Sequence, residues 1–205
     1  MRIRDLFLAS LLLLTPGVQA KEQAVEPGQR FTGPIINIGA PHSEGWKLME
    51  SSGNAVTFGR SGASSGESFI AAVLRFSLPE AQSKDEFVAL IERNVEDDAP
   101  PERFTNIEST FEYSDQRGYP CVLYKAIGED TKAKISFFGR RQLILQIRAL
   151  YCRLPNMEKT GFAAMFSHRG ATKVDDLDAQ ATDFIDGVQI PDSEPNSRVE
   201  RPREP

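Results

Sequence analysis

Between residues 104 and 152, four runs of alternating apolar and polar residues are joined by short polar turns, which is the pattern of an antiparallel sheet. In the first run Ile107, Ser109, Phe111 and Tyr113 share one face, and Glu108, Thr110, Glu112 and Ser114 share the other. Asp115-Gln116-Arg117-Gly118 turns the chain into the run 121–127, where Val122, Tyr124 and Ala126 oppose Lys125. Pro120 stands at the strand start, where a missing donor is tolerated. Gly128-Glu129-Asp130 reads as the next turn. Ala133, Ile135 and Phe137 then alternate with Lys132, Lys134 and Ser136. Gly139-Arg140 permits a tight hairpin into Leu143, Leu145, Ile147, Ala149 and Tyr151, with Gln142, Gln146 and Arg148 outward.

One face of this meander is apolar and needs a cover. The other gathers Glu108, Glu112, Lys125, Lys134 and Arg148. It reads either as a solvated face with cross-strand charge pairs, each worth about 0.2–1 kcal/mol, or as a surface for an anion or a partner.

With 205 residues and 40% hydrophobic content, the chain suits one domain with a sizeable core. A net charge of -5 gives no sign of the clustered basic excess of a nucleic-acid binder. The first twenty residues read as a signal peptide: Arg2 and Arg4, an apolar stretch at 6–14, then Val18-Gln19-Ala20 with small residues at the -3 and -1 positions. Cleavage is expected after Ala20, releasing a free periplasmic or secreted protein. No later stretch approaches the roughly 20 apolar residues of a membrane span. Residues 21–30 read as a flexible leader, 31–190 as a single domain, and 191–205, rich in proline and charge, as a disordered tail.

Export bears on Cys121 and Cys152, because an oxidising compartment permits a disulfide. In the chain-entropy model the bridge would be worth about 3–4 kcal/mol. A simple meander opposes it, since it places the start of one strand and the end of the other about 20 Å apart, against Cα atoms within about 7 Å in a bridge. Two buried free thiols are the alternative.

Ahead of the meander, extended runs are expected around Ile36 and Ile38, at 45–49 and at 55–60. Residues 69–76 are apolar on both alternating sets except for Arg75, as in a central strand covered on both faces. Ser83 and Glu86 form a capping box for a helix bearing Phe87, Leu90, Ile91 and Val95, which Pro100-Pro101 stops. A second helix, capped by Thr172 or Asp175, carries Val174, Leu177, Ala181, Phe184, Ile185 and Val188 as one stripe, with Gly187 closing it. Phe162 to Phe166 reads as a short extended segment or a packed loop. His168 and Arg169 read as a loop pair able to hold an anion or a partner carboxylate. The fold class is α+β, an antiparallel sheet covered by two main helices.

Gly62-Ala63-Ser64-Ser65-Gly66 matches the G-x-S-x-G nucleophile elbow, and His168 follows in hydrolase order. That chemistry needs a strand before the serine and a helix after it, whereas the residues after Gly66 read as a strand, so a hairpin loop explains the motif more simply. His42 and His168, the only histidines, lie too far apart in sequence for a metal-ligand pair, and no cofactor is called for.

The entry Pro41-His42-Ser43-Glu44-Gly45-Trp46, the strand Ala55-Val56-Thr57-Phe58, the small-residue central strand, the capped helix, the meander and the C-terminal helix together resemble the PsbP-like sandwich superfamily (PsbP, DcrB-type and Mog-type proteins) over about residues 31–188. The resemblance implies an α/β sandwich and a role in binding or assembly rather than catalysis. The expected function is therefore that of a non-enzymatic envelope factor acting on a partner protein. A small-ligand carrier with a pocket between helix and sheet, lined by Trp46, Tyr124, Tyr151 or Phe162, is the alternative, and a serine hydrolase using Ser64 is the third reading.

Overall fold

A computed structural model of the chain describes residues 23–33, 36–136, 139–140, 142–155 and 157–190. The expected signal peptide and the C-terminal tail lie outside the described residues. The strands are β1 (Gln23–Ala24), β2 (Arg30–Thr32), β3 (Asn37–Gly39), β4 (Lys47–Ser51), β5 (Ala55–Ser61), β6 (Ser68–Ser77), β7 (Phe104–Ser114), β8 (Cys121–Asp130), β9 (Lys134–Ser136), β10 (Gly139–Arg140), β11 (Leu143–Arg153) and β12 (Thr160–Gly170). The helices are α1 (Lys84–Asp97) and α2 (Leu177–Asp186). Eight strands form one antiparallel sheet in the order β1-β4-β5-β6-β12-β11-β8-β7, while β2-β3 and β9-β10 are separate hairpins. The fold is α+β with a large antiparallel sheet, as the alternation implies.

The central strands are buried on both faces, and small side chains make that fit. Phe166 stands opposite Ala71, and Met165 opposite Ala72. On one face Phe76, Tyr124, Ile147, Ala149, Tyr151 and Val122 pack under α1 through Phe87, Ile91 and Val95. On the other, Phe58, Phe69, Ala71, Leu150 and Phe166 pack under α2 through Leu177, Ala181 and Phe184, joined by Trp46 and by Ile38 of β3. The two covers are offset. α1 shields the β7–β8–β11 half of its face, and α2 with the β2–β3 hairpin shields the β5–β6–β12–β11 half of the opposite face. The uncovered halves carry the exposed apolar side chains Met49 and Leu123.

Local chemistry explains the helix ends. Ser83 Oγ accepts from the Glu86 amide at 3.1 Å, and Glu86 reaches back to the Gln82 amide at 2.6 Å, a capping box displaced by one residue. The second helix starts later than the cap expected at Thr172 or Asp175: its N-cap is Asp176, which makes no side-chain cap bond, and Gly187 is the C-cap. The β7–β8 turn binds both helices. Asp115 pairs with Lys84 of α1 at 3.2 Å, and Arg117 bonds the Ile185 and Val188 carbonyls at the end of α2.

Several expectations need correction. The stretch read as a flexible leader is ordered from Gln23: β1 pairs with β4, and Val25 is buried. Residues 162–170, split in the sequence reading between a short segment and a loop, form a single strand, β12, hydrogen-bonded on both sides. Its alternation is hard to read because Phe162, Ala164, Phe166 and His168 are buried on one face while Gly161 and Ala163 are buried and Met165, Ser167 and Arg169 only partly exposed on the other. β8 continues through the expected turn at 128–130, and the third run leaves the sheet as the β9–β10 hairpin. β8 and β11 therefore pair directly.

That pairing overturns the geometric objection to a disulfide. In neighbouring antiparallel strands the start of one lies beside the end of the other, so Cys121 and Cys152 are in register. They are bridged, with Cα atoms 4.1 Å apart. Replacing both cysteines with serine is expected to lower stability by about 3–4 kcal/mol, read as a lower urea midpoint. The wild type in reductant should fall to the same midpoint.

Candidate functional site

Because α2 lies over β12 and β11 and stops short of β8, a groove of about 220 Å³ remains between the helix and the open part of the sheet. Cys121, Leu123 and Leu150 form its floor; Ala181, Thr182 and Ile185 form its wall. Charge closes both ends. At one end Asp178 accepts from Arg148 Nε and lies 3.8 Å from Lys125 Nζ, so one carboxylate serves two cations. Lys125 is half-exposed and holds the looser contact. At the other end Arg117 Nη2 donates to the Ile185 carbonyl and to Asp186 Oδ1, each at 2.8 Å. The last turn of α2 has no basic residue of its own, so Arg117 supplies the cation that a helix C-terminus favours.

Lys125 and Arg148 are therefore brought together, as the alternation of their strands predicts. The side chain of Lys134 lies outside the described residues. His168 and Arg169 belong elsewhere. They are successive residues of a strand, so their side chains leave opposite faces of the sheet, and neither is on a loop.

His168 is fully buried. It sits in a cross-strand row with Phe69 on one side and Gln146 on the other. Gln146, expected to face outward, is buried beneath the chain leading to α2. Its Nε2 donates to the Val174 carbonyl at 3.2 Å, and its Oε1 accepts from the Val174 amide at 2.8 Å. These two hydrogen bonds to one residue fix the amide orientation. The Oε1 atom facing His168 Nδ1 at 3.2 Å can only accept, so Nδ1 carries a hydrogen. The other ring nitrogen, Nε2, lies 3.1 Å from Glu67 Oε1.

Glu67 reaches the ring because it is flanked by glycines. A Cβ at Gly62 would lie 2.2 Å from Glu67 Cγ, and one at Gly170 would lie 2.7 Å from His168 Nε2. The Ser64 amide, at 2.9 Å, and then His168 hold the Glu67 carboxyl below its usual range against the opposing effect of burial. Further along the row, Arg60 stacks on Phe69 at 4.3 Å and on Trp46 at 5.2 Å, and desolvation lowers its pKa. Ser64 thus contributes a main-chain bond to a hairpin loop. Strand β6 follows that loop, and both ring nitrogens of His168 are engaged, so no serine–histidine pair is formed.

On the opposite face Arg169 Nη1 lies 3.4 Å from Asp130 Oδ2. Asp130 is fully buried and receives the fork of Arg103 at 3.1 and 2.8 Å and the Lys132 amide at 3.1 Å. Burial alone would raise the Asp130 carboxyl, but these donors hold it below its usual range. This arrangement ties β7, β8 and β12 together at one end of the sheet. Trp46, Tyr151 and Phe162 are core residues rather than pocket lining, and burial pushes the Tyr124 hydroxyl up to about 12. Among the described residues no three His, Cys, Asp or Glu side chains gather as a metal site, and no helix is long and apolar enough to cross a membrane.

Glu67, Asp178 and Arg117 escaped the sequence reading. Glu67 and Arg117 sit in turns, where periodicity carries no directional signal, and the partner of Asp178 depends on where the helix docks. Glu67→Ala is expected to cost about 1–3 kcal/mol by leaving the buried His168 nitrogen unpaired, and Gly170→Ala to cost a similar amount by crowding it. Chemical denaturation measures both. Asp130→Asn should cost about 3–5 kcal/mol at pH 7. Because the folded carboxyl is depressed, its contribution is full above about pH 4 and is lost as pH falls through the folded value. The gap between wild type and variant in urea midpoint should therefore close in acid. No protein-family model matches this chain, and a search of curated proteins gives no match.

Proposed function

We propose that the protein is an exported, non-enzymatic binding or assembly factor of the cell envelope, with the α2 groove as its contact site. The observation that carries this reading is the half-covered sheet face, where exposed Leu123 lies between a Lys125–Arg148 end and an Arg117 end. A volume of about 220 Å³ favours one of the two binding modes. Sites that enclose a drug-sized ligand run to about 300–1,000 Å³. An open cleft below that range suits one or two side chains of a partner better than a whole small molecule, so the carrier reading ranks second.

The disulfide fits an oxidising compartment and so supports export. The order of strands and helices, with covers on both faces, fits the PsbP-like sandwich. The engagement of both His168 nitrogens argues against the Ser64 hydrolase reading.

A photo-reactive residue placed at Thr182, on the groove wall, is expected to give a covalent adduct with an envelope protein in the cells of origin. The same residue at Glu92, on the solvent side of α1, should give none. Adducts at both positions, or at neither, would remove the groove from the reading. A ligand mass retained by the native protein and lost on denaturation would favour the carrier instead.

A further inference from the structure

The sheet ends on one side in β1, two residues long, and on the other in β7, eleven residues long. β7 pairs with β8, and no described strand lies along its other edge. The disulfide pair shows which of its amides face outward. Cys121 and Cys152 are close at Cα, and the Arg153 amide donates to the Pro120 carbonyl, so the bridged residues form a narrow pair without mutual hydrogen bonds. The main chain of Cys121 accordingly faces β7. Ser114 is its partner there, and the register is continuous back to Glu108. Ser114, Glu112, Thr110 and Glu108 therefore bond inward, and the amides of Ser109, Phe111 and Tyr113 point out along the edge.

An open edge of this length is a template for another strand. Its protection lies at one end only, where the register shifts between Thr105 and Glu108 and Asn106 adopts φ 51°. From Ser109 to Ser114 there is neither a proline nor a lysine. Glu108 and Glu112 stand exposed on the α2 side of this edge with Thr110 between them. Their cross-strand neighbours are Ile127 and Leu123, and neither glutamate forms an ion pair among the described residues. Lys125, opposite Thr110, is drawn towards Asp178 instead.

We propose that β7 is a docking edge for an extended segment of a partner protein whose alternate residues are Lys or Arg, placed to meet Glu108 and Glu112. A second copy of this chain is the poorer occupant. Twofold pairing centred on Thr110 would set Glu108 against Glu112 twice, and each chain brings a net charge of -5. The inference goes beyond the groove and stands without it, because it uses the outward main chain of β7.

The test titrates the full chain with a ten-residue synthetic peptide of alternating lysine and valine, and with its glutamate–valine counterpart. The lysine peptide should bind at least tenfold more tightly. Ser109→Pro deletes an outward donor and no ladder bond, so it should leave the melting temperature nearly unchanged and weaken binding at least tenfold. Glu108→Lys with Glu112→Lys should reverse the preference between the peptides, which keeps the test decisive if the proline variant fails to fold. Thr182→Trp, which fills the groove, should change nothing, so failure here and failure of the groove reading are separable. Equal binding of both peptides, an unchanged preference after charge reversal, or a dimer abolished by Ser109→Pro would overturn the proposal.

Discussion

The ladder that β12 forms with β6 and β11 is the constraint on which the rest of the molecule depends. With strands on both sides and packed side chains on both faces, β12 leaves only Thr160, Met165, Ser167 and Arg169 partly exposed. Each main-chain donor and acceptor must be met within the sheet, and each side chain must fit a packed layer. The alanines at 71, 72, 163 and 164 are small because the facing Phe166, Met165, Val73 and Leu74 occupy the space. Two covers are then obligatory. A chain of this length supplies only two helices among its described residues, and each is too short to shield a face eight strands wide.

The offset of the covers follows, and so does the character of the exposed surfaces. α1 and α2 protect diagonally opposite halves, so the two open halves fall near opposite edges of the sheet. On the α2 side the open half borders the longer edge. Apolar floor, unpaired main chain and charge are concentrated there, whereas at the other edge β1 is short. The buried charges take a different part. Asp130 with its two arginines and Glu67 with His168 both sit where strands end in turns, and each gives a fixed partner to a main-chain segment that lies outside the ladders.

The strand alternation made half of this architecture legible. Val122, Tyr124, Ala126, Ile147, Ala149 and Tyr151 share a face as their spacing implies, and the capped helix begins at Ser83. Reading failed where the period carried no contrast. Residues 160–170 are apolar, small or internally paired on both sides, so no face looked wet. It failed again where a side chain's meaning depended on a distant element. Gln146 looks outward by periodicity and is buried only because the chain before α2 folds across it. Lys125 and Arg148 were placed together correctly, but their shared carboxylate, Asp178, could be named only once the helix was docked. Topology hid the disulfide: a meander of four consecutive strands separates Cys121 from Cys152, and ejecting the third run brings them side by side.

That ejected run has a consequence for the covalent integrity of the chain. The β9–β10 hairpin lies between Cys121 and Cys152, outside the main sheet and inside the loop that the disulfide closes. A peptide bond cut there would leave every ladder of the eight-stranded sheet in place and would not release a fragment. The two pieces would remain joined by sulfur, on adjacent strands already in register. Under reducing conditions the same cut would divide the protein between β8 and β11, through the middle of its core. The bridge makes this hairpin the one excursion from the sheet between two strands whose main chain can be severed without dividing the molecule.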